Sequence, residues 1–336
     1  MCEKHDSIQN EIYPLLLEGV VVPTIWGGHR LYQNYGKGSA DIAIGETWEL
    51  SVRSDRKCKI KNGPRAGHTL EDFISQVGNE VVFDGYDGEH FPLLIKFIDA
   101  TDKLSVQVHP DDEYAAVHEN SIGKNELWYI VSAEPGAEII YGLKAEYSRN
   151  QLEQAINNGR FDAMLNHIKV KSGDVFYVPS GLVHAIGKGI LIAEIQQNSD
   201  LTYRLYDYDR KDANGNKREL HIDRAIDSIK QYSPEEIHKK QFEFSNKQID
   251  CTTLSNNPYF RIQNENISDE PIIIRTKNCF HSLLCIDGSG YIYCNGNSYN
   301  ISAGDCWFIP AGGCTCELKG NLNILKITPQ FKNQEA

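Results

Sequence analysis

No run in this sequence approaches the roughly 18 consecutive apolar residues that carry a helix across a membrane. The first residues, MCEKHDSIQNEIYPLLLEG, lack the basic start and apolar core of a secretory leader, so a cytoplasmic protein with no membrane partner is expected. Positive charge is also short: 34 Lys and Arg stand against 46 Asp and Glu, a net charge of −12. A surface of that sign repels nucleic acid, and any anionic small substrate must be received by a local basic pocket. Paired cysteine motifs are missing too. Cys314 and Cys316 stand one residue apart with Cys294 and Cys306 nearby, whereas zinc-ribbon sites place two residues between paired cysteines and need a second pair. The nine cysteines are therefore expected to be free and often buried. No EF-hand loop is present.

What the chain does contain is short apolar runs rich in β-branched and aromatic residues, set between Gly, Pro, Asn and Asp clusters. They fall at 91–98, 127–131, 138–141, 175–178 and 190–195. This texture predicts an all-β barrel or sandwich, and 336 residues suggest about two domains. Two stretches read as helix. One is 148–165, which opens on a capping-type Ser148 and repeats apolar residues near helical spacing; the other is 222–229. The polar segment 207–218 predicts a surface hairpin or loop, and 233–247 a link between domains.

An internal repeat organises these pieces. GDVFYVPSGLVH runs from Gly173 to His184, and GDCWFIPAGGCT from Gly304 to Thr315. Each reads as a Gly-Asp turn, a buried strand and a Pro-x-Gly turn, after which the terminal residue opens a new strand and can point into a barrel. That residue is His184 in the first copy and Thr315 in the second. A duplicated barrel whose second copy lacks its ligand would look like this.

Two further segments give His184 company. In LSVQVHPDD, Gln107 and His109 are two apart and share one face of a strand. In GKNELWYIV, Glu126 precedes an apolar strand, and Lys124 lies two residues earlier on the same side of the chain. Two imidazoles, a carboxylate and an amide oxygen suit a borderline divalent cation such as zinc and leave room for a substrate oxygen. The alternatives are a structural histidine at His184, a polar outer strand face at Gln107 and His109, a solvated carboxylate at Glu126 and a loop lysine at Lys124. Lys96, inside the apolar run PLLIKFIDA, must find a partner or a wet cavity.

The motifs LSVQVHPDD, GKNELWYI, VPSGLVHAIG and QNSDLTYRLYDYDR, with WGGHRL and GETWELSVRSD ahead of them, resemble the type I mannose-6-phosphate isomerases in their short bacterial form. The resemblance runs from about Tyr13 to Arg210. It implies a mainly β fold of two cupin-like (jelly-roll) β-barrel domains. Residues 1–240 would be the catalytic domain, with a small helical insertion near 148–168, and 241–336 a second cupin domain without a metal site. The implied activity is metal-dependent interconversion of mannose 6-phosphate and fructose 6-phosphate through an enediol. One Zn2+ per chain would be held by Gln107, His109, Glu126 and His184.

The same resemblance implies an essential role for Arg204, substrate-phosphate positions at Ser105 and Lys124, and an acidic residue facing the site at Glu194. Lys96 is a further pocket candidate. From its chemistry alone, Arg204 either steadies a developing oxyanion or forms an ion pair with Asp200 or Asp207. Glu194, a water on the metal, or Glu194 acting only to orient its neighbours are the open choices for proton transfer. The rival classes are a metal-dependent cupin oxygenase, which would want more histidines, and a non-catalytic sugar-phosphate-binding cupin, which would have lost a ligand or Arg204. Nothing in the chain demands more than a monomer.

Overall fold

The computed structural model describes residues 12–211, 215–244 and 250–331. The runs expected as strands are strands: Leu93–Ala100, Glu126–Ala133, Glu138–Leu143, Val175–Val178 and Ile190–Gln197. Leu93–Ala100 and Ile190–Gln197 are buried at every position, as expected of strands covered on both faces. They lie at the centre of a six-stranded sheet whose order is Val175–Val178, Glu126–Ala133, Ile190–Gln197, Leu93–Ala100, Ile44–Leu50 and Val20–Gly28. A second sheet carries Leu165–Lys169, Glu138–Leu143, His184–Ala185, Val106–Val108 and Tyr203–Tyr206 in that order. All of these pairings are antiparallel, and the two sheets form the first barrel.

The second barrel is built around the long strands His281–Cys294 and Cys314–Pro329. Both repeats place a strand at the same offset, Val175–Val178 and Cys306–Ile309. The expectation for Thr315 is corrected. It is exposed and lies opposite Arg275, while Cys314 and Cys316 on either side are buried. Side chains alternate along a strand, so a reading displaced by one residue reverses the face. Thr315→Ala is accordingly expected to change the unfolding free energy by less than about 0.5 kcal/mol and to leave turnover intact, checked by urea titration and assay.

The helical insertion is shorter than 148–168. Ser148 and Gln151 form a capping box that starts helix Arg149–Asn157, a 3-10 turn follows at Phe161–Met164, and the chain then becomes the strand Leu165–Lys169. That last piece pairs with Glu138–Leu143, a tertiary partner that overrides local preference. Within 207–218, Lys211 bridges Lys217 across the tip of the expected hairpin, whose residues 212–214 lie outside the described set. The link 233–247 contains a helix, Pro234–Gln241, with its own capping box from Ser233 to Glu236 and buried Ile237 as its anchor; 245–249 again lie outside the described residues.

A cut after residue 240 would not separate the sheets. Strand Leu15–Glu18 pairs with Cys306–Ile309 of the second barrel, Leu15 opposite Phe308 and Leu17 opposite Cys306, and on its other edge with Lys59–Ile60. One hydrophobic core joins both halves: Phe91 stacks on Phe280 at 5.5 Å between centroids, and Phe280 on Phe308 at 4.7 Å. Among the described residues no helix is long and apolar enough to cross a membrane.

Candidate active site and metal centre

Strand register brings the candidate residues together in two rows that face each other across the first barrel. In the six-stranded sheet, Trp48 lies opposite Lys96, Lys96 opposite Glu194, and Glu194 opposite Trp128. In the facing sheet, His184 lies opposite Gln107 and Gln107 opposite Arg204. Each pairing within a row joins residues at least 48 positions apart in the chain, which no local pattern could have grouped.

At the base of this space His109, Glu126 and His184 converge, all buried. His109 Nε2 is 3.1 Å from His184 Nε2 and 3.2 Å from Glu126 Oε1. The other nitrogen of each ring is already engaged: His109 Nδ1 lies 2.7 Å from the Leu201 carbonyl and His184 Nδ1 2.8 Å from that of Leu182. A carbonyl only accepts, so each Nδ1 carries the proton and each Nε2 is left as a lone pair. Two lone pairs 3.1 Å apart, beside a carboxylate, call for a shared cation.

Electrostatics agree. Burial, reinforced by Lys124, pushes the pKa of His109 down to about 3, and burial likewise lowers that of His184, so both imidazoles are neutral. Burial alone would raise the Glu126 carboxyl, but the Lys124 ammonium overrides it and holds Glu126 well below its usual range. The Lys124 ammonium sits 2.6 Å from Glu126 Oε1 and 3.5 Å from His109 Nε2, standing where a cation is wanted. Gln107 borders the cluster, with Nε2 3.4 Å from His184 Nε2 while Ser105 Oγ donates to Oε1 at 3.2 Å. The donor set thus fits a metal ion of zinc-like character, as neutral imidazoles and a carboxylate should.

Above the cluster, Trp128 Nε1 donates to both Glu126 Oε2 and Glu194 Oε2 at 3.1 Å each, tying the floor to the wall. Lys96 Nζ lies 3.5 Å from Glu46, 3.6 Å from Glu194 and 4.6 Å from the centre of the Trp48 ring. One ammonium between two acids cannot keep both ionised equally. Burial would raise Glu46, but Lys96 and the 2.8 Å hydrogen bond from Trp48 Nε1 hold it below the usual range. Burial, with Glu126 nearby, pushes Glu194 up to about 7.

Glu46, Lys96 and Glu194 line a cavity of about 400 Å³ together with Arg204. The ion pair considered for Arg204 does not form among the described residues. Asp207 is taken by Arg218 and Arg210, each at 2.5 Å, and Arg204 Nε is buried without a hydrogen-bond partner. Burial, and then Arg218, lower its pKa. The expected candidates Ser105, Lys124, Lys96, Glu194 and Arg204 all border this cavity. Residue patterns had not singled out Glu46, Trp48, Trp128, Arg218, His221 and Arg224. Glu46 and Trp48 do stand two apart in GETWELSVRSD, an alternation that puts both on one face.

Comparison with known proteins agrees with this geometry. The catalytic-domain model of type I phosphomannose isomerase matches residues 15–131, and the mannose-6-phosphate isomerase cupin-domain model matches 250–329. A mannose-6-phosphate isomerase of Streptococcus mutans serotype c is 39% identical over 312 residues, which is 93% of this chain and 97% of that protein. The mannose-6-phosphate isomerase ManA of Bacillus subtilis is 41% identical over 311 residues, 91% of this chain and 96% of its own. The crystal structure of mannose 6-phosphate isomerase from Bacillus subtilis superposes with a TM-score of 0.81 at 35% identity, covering 94% of this chain and 99% of that one. These relatives span the stretch between the two domain models, where His184, Glu194 and Arg204 lie. With the two-barrel cupin fold and the convergent site, they establish that the chain belongs to the type I phosphomannose isomerase family.

Proposed function

We infer that this chain interconverts mannose 6-phosphate and fructose 6-phosphate by moving a proton between C1 and C2. The observation that carries the reading is the buried His109–Glu126–His184 cluster, in contact with Lys124 and Gln107 of a cavity whose lining also holds Glu194 and Arg204, the latter without an ion-pair partner among the described residues. The ion we assign is a single Zn2+, held by His109, Glu126 and His184. Gln107 becomes a fourth ligand after a half-turn of its amide, which exchanges oxygen for nitrogen. When bound, zinc supplies Lewis acidity that stabilises negative charge on the substrate's C1 and C2 oxygens.

The chain's own side chains do the rest. Glu194, with a pKa near neutrality, is matched to take a proton from one carbon and return it to the other. Lys96 steadies Glu194 from across the sheet and keeps it in the wall. The Arg204 fork donates hydrogen bonds to oxygens that gain charge as the enediol forms. Ser105 and Lys124 receive the phosphate, and Arg218 and Arg224 at the cavity lining add positive potential that offsets the chain's net charge of −12. We further propose that the protein acts as a monomer in the cytoplasm.

A coupled assay for fructose 6-phosphate formation from mannose 6-phosphate tests the reading. The expected result is turnover that a strong chelator removes and added zinc restores. A folded, metal-loaded sample without turnover would sink the proposal and leave a sugar-phosphate-binding cupin.

A further inference from the structure

The interior of the second barrel holds a group that the isomerase site does not use. Cys294, Cys314 and Cys316 are 2%, 3% and 0% exposed and share one apolar core with Ile274, Ile292 and Leu318. Cys294 and Cys316 are direct partners across antiparallel strands. Directly opposite residues in such a ladder have Cα atoms about 4.5–5.5 Å apart. That separation lies within the ~4.4–6.8 Å that a disulfide spans. Cys314 stands two residues before Cys316 and so faces the same way. The remaining buried thiols differ. Cys58 Sγ contacts the Trp48 carbonyl at 3.0 Å, and Cys306 the Ser282 hydroxyl at 3.5 Å.

We propose that Cys294 and Cys316 are an oxidisable pair, resting as free thiols and closing to a cross-strand disulfide when the protein meets a peroxide. A shared metal ion is the weaker use of the cluster. Among the described residues, the groups close enough to share an ion are His109–Glu126–His184 and the exposed Asp87–Glu89–His90, and the three thiols are not among them. An apolar core also favours a neutral disulfide over a charged metal–thiolate centre. Mutual contact within this cluster lowers the Cys294 pKa and raises those of Cys314 and Cys316, which with its place at the strand end favours Cys294 as the attacking sulfur. Cys294 ends its strand beside the turn at Asn295 (φ 50°), at the rim of the barrel.

The chemistry balances. The Cys294 thiolate attacks one peroxide oxygen, the O–O bond breaks, and the departing hydroxide takes a proton to leave as water and a sulfenic acid. The Cys316 sulfur then displaces the sulfenic hydroxyl, its thiol proton leaving with that hydroxyl as a second water. Two thiols are oxidised by two electrons and one hydrogen peroxide is reduced.

The test is a thiol count with peptide mapping on the full chain. After hydrogen peroxide, unfolding and alkylation, two of the nine cysteines should be protected, released by a thiol reductant and recovered as one linked peptide pair containing Cys294 and Cys316. The Cys314→Ser protein should form the same link. Nine alkylated thiols after treatment, or a link that omits Cys294 or Cys316, would overturn the proposal, and the wild-type mapping decides this even if a variant does not fold.

Discussion

His184→Ala is expected to empty the metal centre and to lower kcat at least about 10³-fold, the upper end of what removing a single preorganised electrostatic group costs. The imidazole is fully buried and aims a lone pair at the one on His109. Alanine leaves one imidazole, one carboxylate and the weakly donating Gln107 amide, a set too poor to hold a divalent ion firmly against water. The change also leaves the Leu182 carbonyl without its donor, a stability loss of about 1–3 kcal/mol, so a melting curve must accompany the assay. Metal content of the gel-filtered protein is the deciding measurement. Unchanged stoichiometry would remove His184 from the ligand set whatever happens to turnover.

Arg204→Ala should behave differently: kcat falls about 10²–10³-fold while the metal is retained, because the guanidinium acts on the substrate and not on the ion. The structural basis is that Arg204 lacks an ion-pair partner among the described residues while its neighbours Arg210 and Arg218 share Asp207. A half-buried guanidinium whose buried Nε has no hydrogen-bond partner is costly, and a fold retains one where its partner arrives with the ligand. Arg204→Lys should recover little, since an ammonium keeps the charge but not the planar fork. Wild-type turnover in the alanine variant, measured beside metal content, would reduce Arg204 to a framework role.

The metal-site candidates were legible because each rests on short-range regularity. Gln107 and His109 alternate on one strand, Lys124 and Glu126 do the same, and the Pro-x-Gly turn of the repeat delivers His184. Features set by pairing between distant strands were not legible. Nothing local says that Trp48 and Trp128 flank the row containing Lys96 and Glu194, or that Glu46 competes with Glu194 for one ammonium. Thr315 shows a subtler failure. The repeat was aligned correctly by its turns, yet the face presented after the turn differs between the copies, and only the three-dimensional register reveals that Cys314 and Cys316 are the inward pair. The link at 233–247 was read from its polar composition, and composition does not show that Leu15–Glu18 covers an edge of the second barrel.

That borrowed strand has a consequence for how the chain is made. Leu16 leaves the ribosome roughly 290 residues before its partner Trp307, about 15–60 s earlier at bacterial-type elongation rates. Throughout that interval the first barrel can assemble its own two sheets while the apolar LLLE segment has only Lys59–Ile60 on one edge and its other edge stays open. Completion of the second barrel is therefore the event that covers this sticky nascent strand, and a late-translated strand serves as intramolecular guardian of an early one.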